Sequence, residues 1–122
     1  MIRGVHTMFY TSDAEATRAF LRDKLKFAFT DVGGGWLIFE MPEADMGCHP
    51  VGTRADQREG MHAISFYCDD IRSTVDELTG RGVEFIKPIM DAGYGLTTLF
   101  RMPGGVVVEL YQPYYKKDPH AV

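Results

Sequence analysis

Cysteine is scarce in this chain: Cys48 and Cys68 are the only two in 122 residues, which excludes a disulfide framework. Basic runs are missing as well. The thirteen Lys and Arg are scattered and the formal net charge is −4, so the electrostatic footprint of a nucleic-acid or anionic-membrane binder is absent. Long apolar runs are also lacking. The longest, such as "GVVVELY", are strand-length, far below the roughly 18 apolar residues of a membrane helix. No basic segment followed by an apolar stretch opens the chain, and the expectation is a soluble protein of a reducing cytoplasm.

What is present is enough for one core. At 45% hydrophobic and 25% charged residues, a chain of this size reads as a single domain. Its strongest internal signal is a repeat. "GVHTMFYTSD" begins at residue 4 and "GMHAISFYCD" at residue 60. A shift of 56 residues sets Gly60 on Gly4, His62 on His6, Asp69 on Asp13 and Phe85 on Phe29.

Each copy has the same grammar. A strand-like run ends at an aspartate suited to cap a helix. In "SDAEATRAFLRDKL", Ala16, Ala19, Phe20 and Leu25 make one apolar stripe; in "DDIRSTVDELTGRG", Ile71, Val75 and Leu78 do so, with Gly80 and Gly82 as stop signals. Three strand-like runs follow in each: about 27–32, 36–41 and 44–49 in the first copy, and 84–87, 96–101 and 106–111 in the second. "GGG", "PE" and "MPGG" supply turns. The expected organisation is therefore an α+β chain of two tandem βαβββ modules, about 4–50 and 60–113, with a polar linker at 51–60 and a tail at 114–122.

Doubled units of this length, opening on "HTMFYTSDAEATRAFLRDKLKF" and "HAISFYCDDIRSTVDELTGRGVEF" and closing on "MPGGVVVELYQP", resemble the vicinal oxygen chelate superfamily. That group includes glyoxalase I, type I extradiol dioxygenases, fosfomycin-resistance enzymes and bleomycin-binding proteins. The resemblance implies a curved mixed sheet forming a cup. It also implies a divalent metal (Fe, Mn, Ni, Co or Zn) held by the residues at the ligand positions, here His6, His62 and Glu109. Two imidazoles and a carboxylate leave coordination positions open for a substrate that chelates through oxygen. Glu109 further stands out because it interrupts the apolar "VVVELY".

One departure argues against true glyoxalase I. Matching the closing prolines Pro50 and Pro113 puts Met46 opposite Glu109, where glyoxalase I has a second glutamate, and neighbouring Gly47 and Cys48 do not restore it. The remaining histidines, His49 and His120, offer no catalytic replacement. Lys87, Arg101 and Lys116 are cations for a fosfomycin-type pocket, without an assignable potassium loop. The expected function is a glyoxalase- or dioxygenase-like metalloprotein, a lyase or dioxygenase in which Glu109, Tyr94 and Tyr111 take part in catalysis. Met46, Cys48, Tyr94, Phe100 and Tyr111 are the expected substrate contacts. The alternative is a metal-free antibiotic- or small-molecule-sequestering protein, related to bleomycin resistance, with an aromatic cleft at a homodimer interface. A homodimer is expected in either case, because open sheet edges and apolar faces require cover.

Overall fold

The computed structural model describes residues 6–41, 43–44, 47 and 50–115. Its element order is α1 (Ala14–Asp23), β1 (Phe29–Asp31), β2 (Leu37–Phe39), a short 3-10 turn (Ala55–Gln57), β3 (Ser65–Tyr67), α2 (Ile71–Gly80), β4 (Met90–Asp91), β5 (Gly95–Met102) and β6 (Val106–Pro113). This is a mixed α+β architecture. β1 and β2 form an antiparallel pair, and the other strands form a four-stranded sheet in the order β3-β6-β5-β4. β3 runs parallel to β6; the remaining pairs are antiparallel.

Both helices start for the reason their sequences give. Asp13 Oδ1 accepts from the Ala16 N–H at 3.1 Å and Asp70 Oδ1 from the Ser73 N–H at 3.2 Å, satisfying amides that a helix leaves unpaired in its first turn. Each helix then lays its apolar stripe on one face of the four-stranded sheet. Phe20 of α1 stacks on Phe100 at 6.4 Å between centroids, and Ile71 and Leu78 of α2 are buried in the same cluster with Phe100, Met102, Val108 and Leu110. Phe9 and Phe27 meet Phe66 edge-on from the first copy.

The α1 cap is tied directly to the β5–β6 turn. The Ser12 N–H donates to the Gly104 carbonyl at 3.1 Å. The Thr17 hydroxyl, 3% exposed, lies 2.7 Å from the Pro103 carbonyl and 2.8 Å from Thr11 Oγ1. A buried hydroxyl that finds these partners costs nothing in lost hydration and fixes where the helix begins.

The strand expectations are met unevenly. β1, β2, β5 and β6 lie within the expected runs or overlap them closely. The run at 84–87 is a single bridge, Phe85 to Phe100, and β4 forms further along, at Met90–Asp91. The first copy's opening segment at 6–10 carries no regular structure. Most of the run at 44–49, including Met46, Cys48 and His49, lies outside the described residues, as do Lys116 and His120. Among the described residues no helix is long and apolar enough to cross a membrane.

The repeat itself requires a correction. The two caps, Asp13 and Asp70, stand 57 residues apart, and so do the helices they start, 14–23 and 71–80. Thr17 and Thr74 occupy the same position in each: both hydroxyls bond the carbonyl of the cap residue, at 2.8 and 2.7 Å. After the helices the shift becomes 56. The Phe27 N–H closes onto the Leu21 carbonyl while the Val83 N–H closes onto Leu78, so the first copy holds one extra residue in this turn. Its Lys26, at φ 62°, takes the left-handed conformation that Gly82, at φ 85°, takes in the second. The doublet Asp69–Asp70 conceals the step, since either aspartate is chemically able to cap.

Candidate functional site

Strand pairing sorts the sheet residues onto two faces, because directly paired residues project to the same side and neighbours along a strand alternate. Phe66, Leu110, Val108, Thr98, Phe100 and Met102 face the helices. Phe100 is 0% exposed there, touching the rings of Phe20, Phe66 and Phe85. It is therefore a core residue and not the substrate contact expected from sequence. Ser65, Glu109, Leu99, Tyr111 and Thr97 share the opposite face.

On that opposite face a compact group of functional side chains forms. Ser65 and Glu109 are register partners on β3 and β6, and the Ser65 hydroxyl donates to Glu109 Oε1 at 2.8 Å. Tyr111, two residues further along β6, meets the Tyr94 ring edge-on at 5.7 Å between centroids. Tyr94 leads into β5 from a turn built on Asp91. One oxygen of Asp91 accepts the Gly93 N–H and the other accepts the Tyr114 hydroxyl, at 2.8 and 2.7 Å. That bond holds the Asp91 carboxyl below, and the Tyr114 phenol above, their ordinary values.

The turn is also fixed from below. Gly95 lies so close to the Gln112 carbonyl and the Tyr111 ring that no side chain has room there. Beside it Tyr94 stands 58% exposed. Its phenol is pushed up by partial burial first and by the charge of Glu109 second, with Arg54 opposing. Glu109 and Arg54, in the 51–60 segment, are thus both within electrostatic reach of the Tyr94 ring.

The structure therefore brings Glu109, Tyr94 and Tyr111 together, and adds Ser65 and Arg54, which the sequence reading passed over. Ser65 was detectable by alternation: it stands two residues from Tyr67 in a strand whose phenylalanine, Phe66, faces the core. Arg54 had no signal beyond being a cation in a polar linker. Cys68, the cysteine that is described, has its thiol pushed up by burial, opposed by a hydrogen bond from Thr74, and it lines a cleft of about 210 Å³ on the helix side of the sheet with Leu25, Phe27 and Phe66. That cleft is separate from the Glu109 face.

His6 and His62 are both exposed, and among the described residues no three His, Cys, Asp or Glu side chains stand together as an ion would require. The corrected repeat gives a reason. With a shift of 57 up to the caps, the second-copy counterpart of His6 is Ala63. The caps thus put Ala63, not His62, opposite His6, and His6, His62 and Glu109 do not stand together as an ion would require.

Comparison with known proteins gives a consistent frame. The profile described as the Glyoxalase/Bleomycin resistance protein/Dioxygenase superfamily matches residues 3–110. No curated protein sequence matches. Among solved structures, a member of the glyoxalase/bleomycin resistance protein/dioxygenase superfamily from Sphaerobacter thermophilus DSM 20745 is 25% identical with a TM-score of 0.62, covering 91% of this chain and 98% of its own. TnmS3, an antibiotic binding protein from Streptomyces sp. CB03234, is 24% identical at a TM-score of 0.58, covering 93% and 99%. A lactoylglutathione lyase from Agrobacterium tumefaciens is 22% identical at 0.57, covering 87% and 90%.

Proposed function

Because this chain belongs to the glyoxalase/bleomycin resistance protein/dioxygenase superfamily, we propose that it is a small-molecule-binding member whose ligand lies on the open sheet face against Tyr94, Tyr111 and Glu109. One observation carries the reading. The face presents an aromatic pair beside a half-buried carboxylate, while among the described residues no three metal-ligating side chains stand together. Two tyrosine rings supply a large contact area at little conformational cost, and the carboxylate supplies direction. The likeness to an antibiotic binding protein supports the same side of the superfamily's range. We further propose a homodimer that covers this face or the β1–β2 pair, whose Phe29 and Trp36 stand 44% and 49% exposed.

The test is binding of a planar aromatic library, followed by titration with Tyr94→Ala. The variant is expected to weaken the best ligand by about tenfold to a hundredfold, the loss of one stacked ring. Equal affinity in variant and native chain defeats the proposal. The metal question has its own experiment. Ala63→His is expected to tighten Ni²⁺ or Zn²⁺ binding at least about tenfold, measured by calorimetry, by setting an imidazole at the position that the cap register puts opposite His6. His62→Ala is expected to leave metal binding unchanged. The reverse pattern reinstates His62 as a ligand.

A further inference from the structure

We infer that the ligand of this face is a planar organic cation, one that carries a protonated nitrogen to Glu109 and lays its ring against Tyr94 and Tyr111. The inference rests on the binding reading above and adds the charge and shape of the ligand.

Glu109 holds an unspent negative charge. A carboxylate has about four acceptor positions, and Ser65 fills one. Among the described residues no Lys, Arg or His forms an ion pair with it. Two guanidiniums of this part of the fold, Arg54 beside Tyr94 and Arg101 on β5, are engaged with other carboxylates. Arg54 is clamped by both oxygens of Asp56, at 3.0 and 2.6 Å. Arg101, on the same strand face two residues from Leu99, turns to Glu84 at 3.7 Å. Asp91 adds a further carboxylate behind Tyr94, both oxygens already bonded. Glu109 is thus a carboxylate of the open face with no cationic partner among the described residues.

The rings select in the same direction. The face of a tyrosine carries the negative part of its quadrupole and attracts a cation placed over it. Tyr94 and Tyr111 meet at 62°, so the two ring faces point in different directions and do not close on one another as a stack. A neutral planar ligand gains only the ring contact there. A cation gains the ring contact, the quadrupole and Glu109 together. A metal ion is a poorer match, because a single carboxylate and a hydroxyl leave most of its coordination shell to water.

The experiment compares two ring-matched probes on the full chain at neutral pH: 9-aminoacridine, protonated under these conditions, and acridine, neutral. The expected result is that 9-aminoacridine binds at least about tenfold more tightly, that added salt weakens it and not acridine, and that Glu109→Gln brings the two probes to similar affinities. Equal binding of the probes by the native chain, preference for acridine, or no binding of either overturns the inference, and this comparison does not depend on the variant folding. A charge preference that survives Glu109→Gln also overturns it. The binding reading beneath it fails separately: probe affinities that ignore Tyr94→Ala show that neither lies on this face.

Discussion

Phe100→Ala should cost about 3–5 kcal/mol of folding stability, read as a fall in the urea midpoint with little change in slope. The side chain is wholly buried and its ring touches Phe20 of α1, Phe66 of β3 and Phe85 ahead of β4, with centroids 6.4, 6.3 and 5.7 Å away. Truncation removes a ring's worth of apolar burial and leaves a void whose walls belong to three separate segments. No one of them can relax into it without leaving another. Aromatic pairs of this kind add about 0.5–1.5 kcal/mol each beyond area. Against a typical total of about 5–15 kcal/mol, the variant should be partly unfolded at modest temperature. Phe100→Leu should cost clearly less, and a loss below about 1 kcal/mol for the alanine would contradict this placement of the residue.

Gly104→Ala should be destabilising by about 2–4 kcal/mol, combining backbone strain with broken hydrogen bonds. The residue sits at φ 86°, a conformation that costs a side chain roughly 1–2 kcal/mol. A Cβ there would also overlap Thr11 Oγ1 and come within 3.0 Å of the Asp13 amide nitrogen. Neither neighbour is free to retreat, since Ser12 bonds the Gly104 carbonyl and Thr17 reaches the Pro103 carbonyl. Gly105→Ala is the internal control. It has nearly the same backbone strain, φ 76°, with open space around its Cβ, so it should show only the conformational part. Thermal melts of the two variants side by side separate contact from conformation, and equal melting temperatures would refute the docking of the α1 cap on this turn.

How far the sequence carries depends on which physical constraint is local. The helix spans follow from apolar spacing and capping aspartates, both visible within a dozen residues. Face assignment does not. Phe100 and Tyr111 both lie in apolar, aromatic-rich strands, and only the pairing of Ser65 with Glu109 and of Thr97 with Tyr111 shows that one faces the helices and the other the open side. The register of the repeat failed for a related reason. His62 offered an identity with His6 at 56, and the adjacent aspartates allowed it; the cap hydrogen bonds, which select Asp70, are a three-dimensional fact. Glu109, by contrast, was legible as a carboxylate in an apolar strand, and it stands at the centre of the open face. The late position of β4 had no clear marker, because "KPIMDAGYG" mixes turn and strand residues.

The reciprocal contacts between the two copies bear on how this chain divides its labour. Phe9 and Phe66, equivalent at a shift of 57, touch each other. Lys24 bonds the carbonyl of Gly82, while Arg81, the equivalent of Lys24, bonds the carbonyl of Lys24 itself. Contacts between a residue and its own counterpart are the hallmark of an isologous interface, in which one surface recognises a copy of itself. Fusing the two halves into one polypeptide removes the requirement that they remain identical. A side chain at this internal axis is still felt twice, while one away from it belongs to a single half. Ser65, Tyr94, Glu109 and Tyr111 all come from the second half, so the group on the open face is built from one copy and not from both.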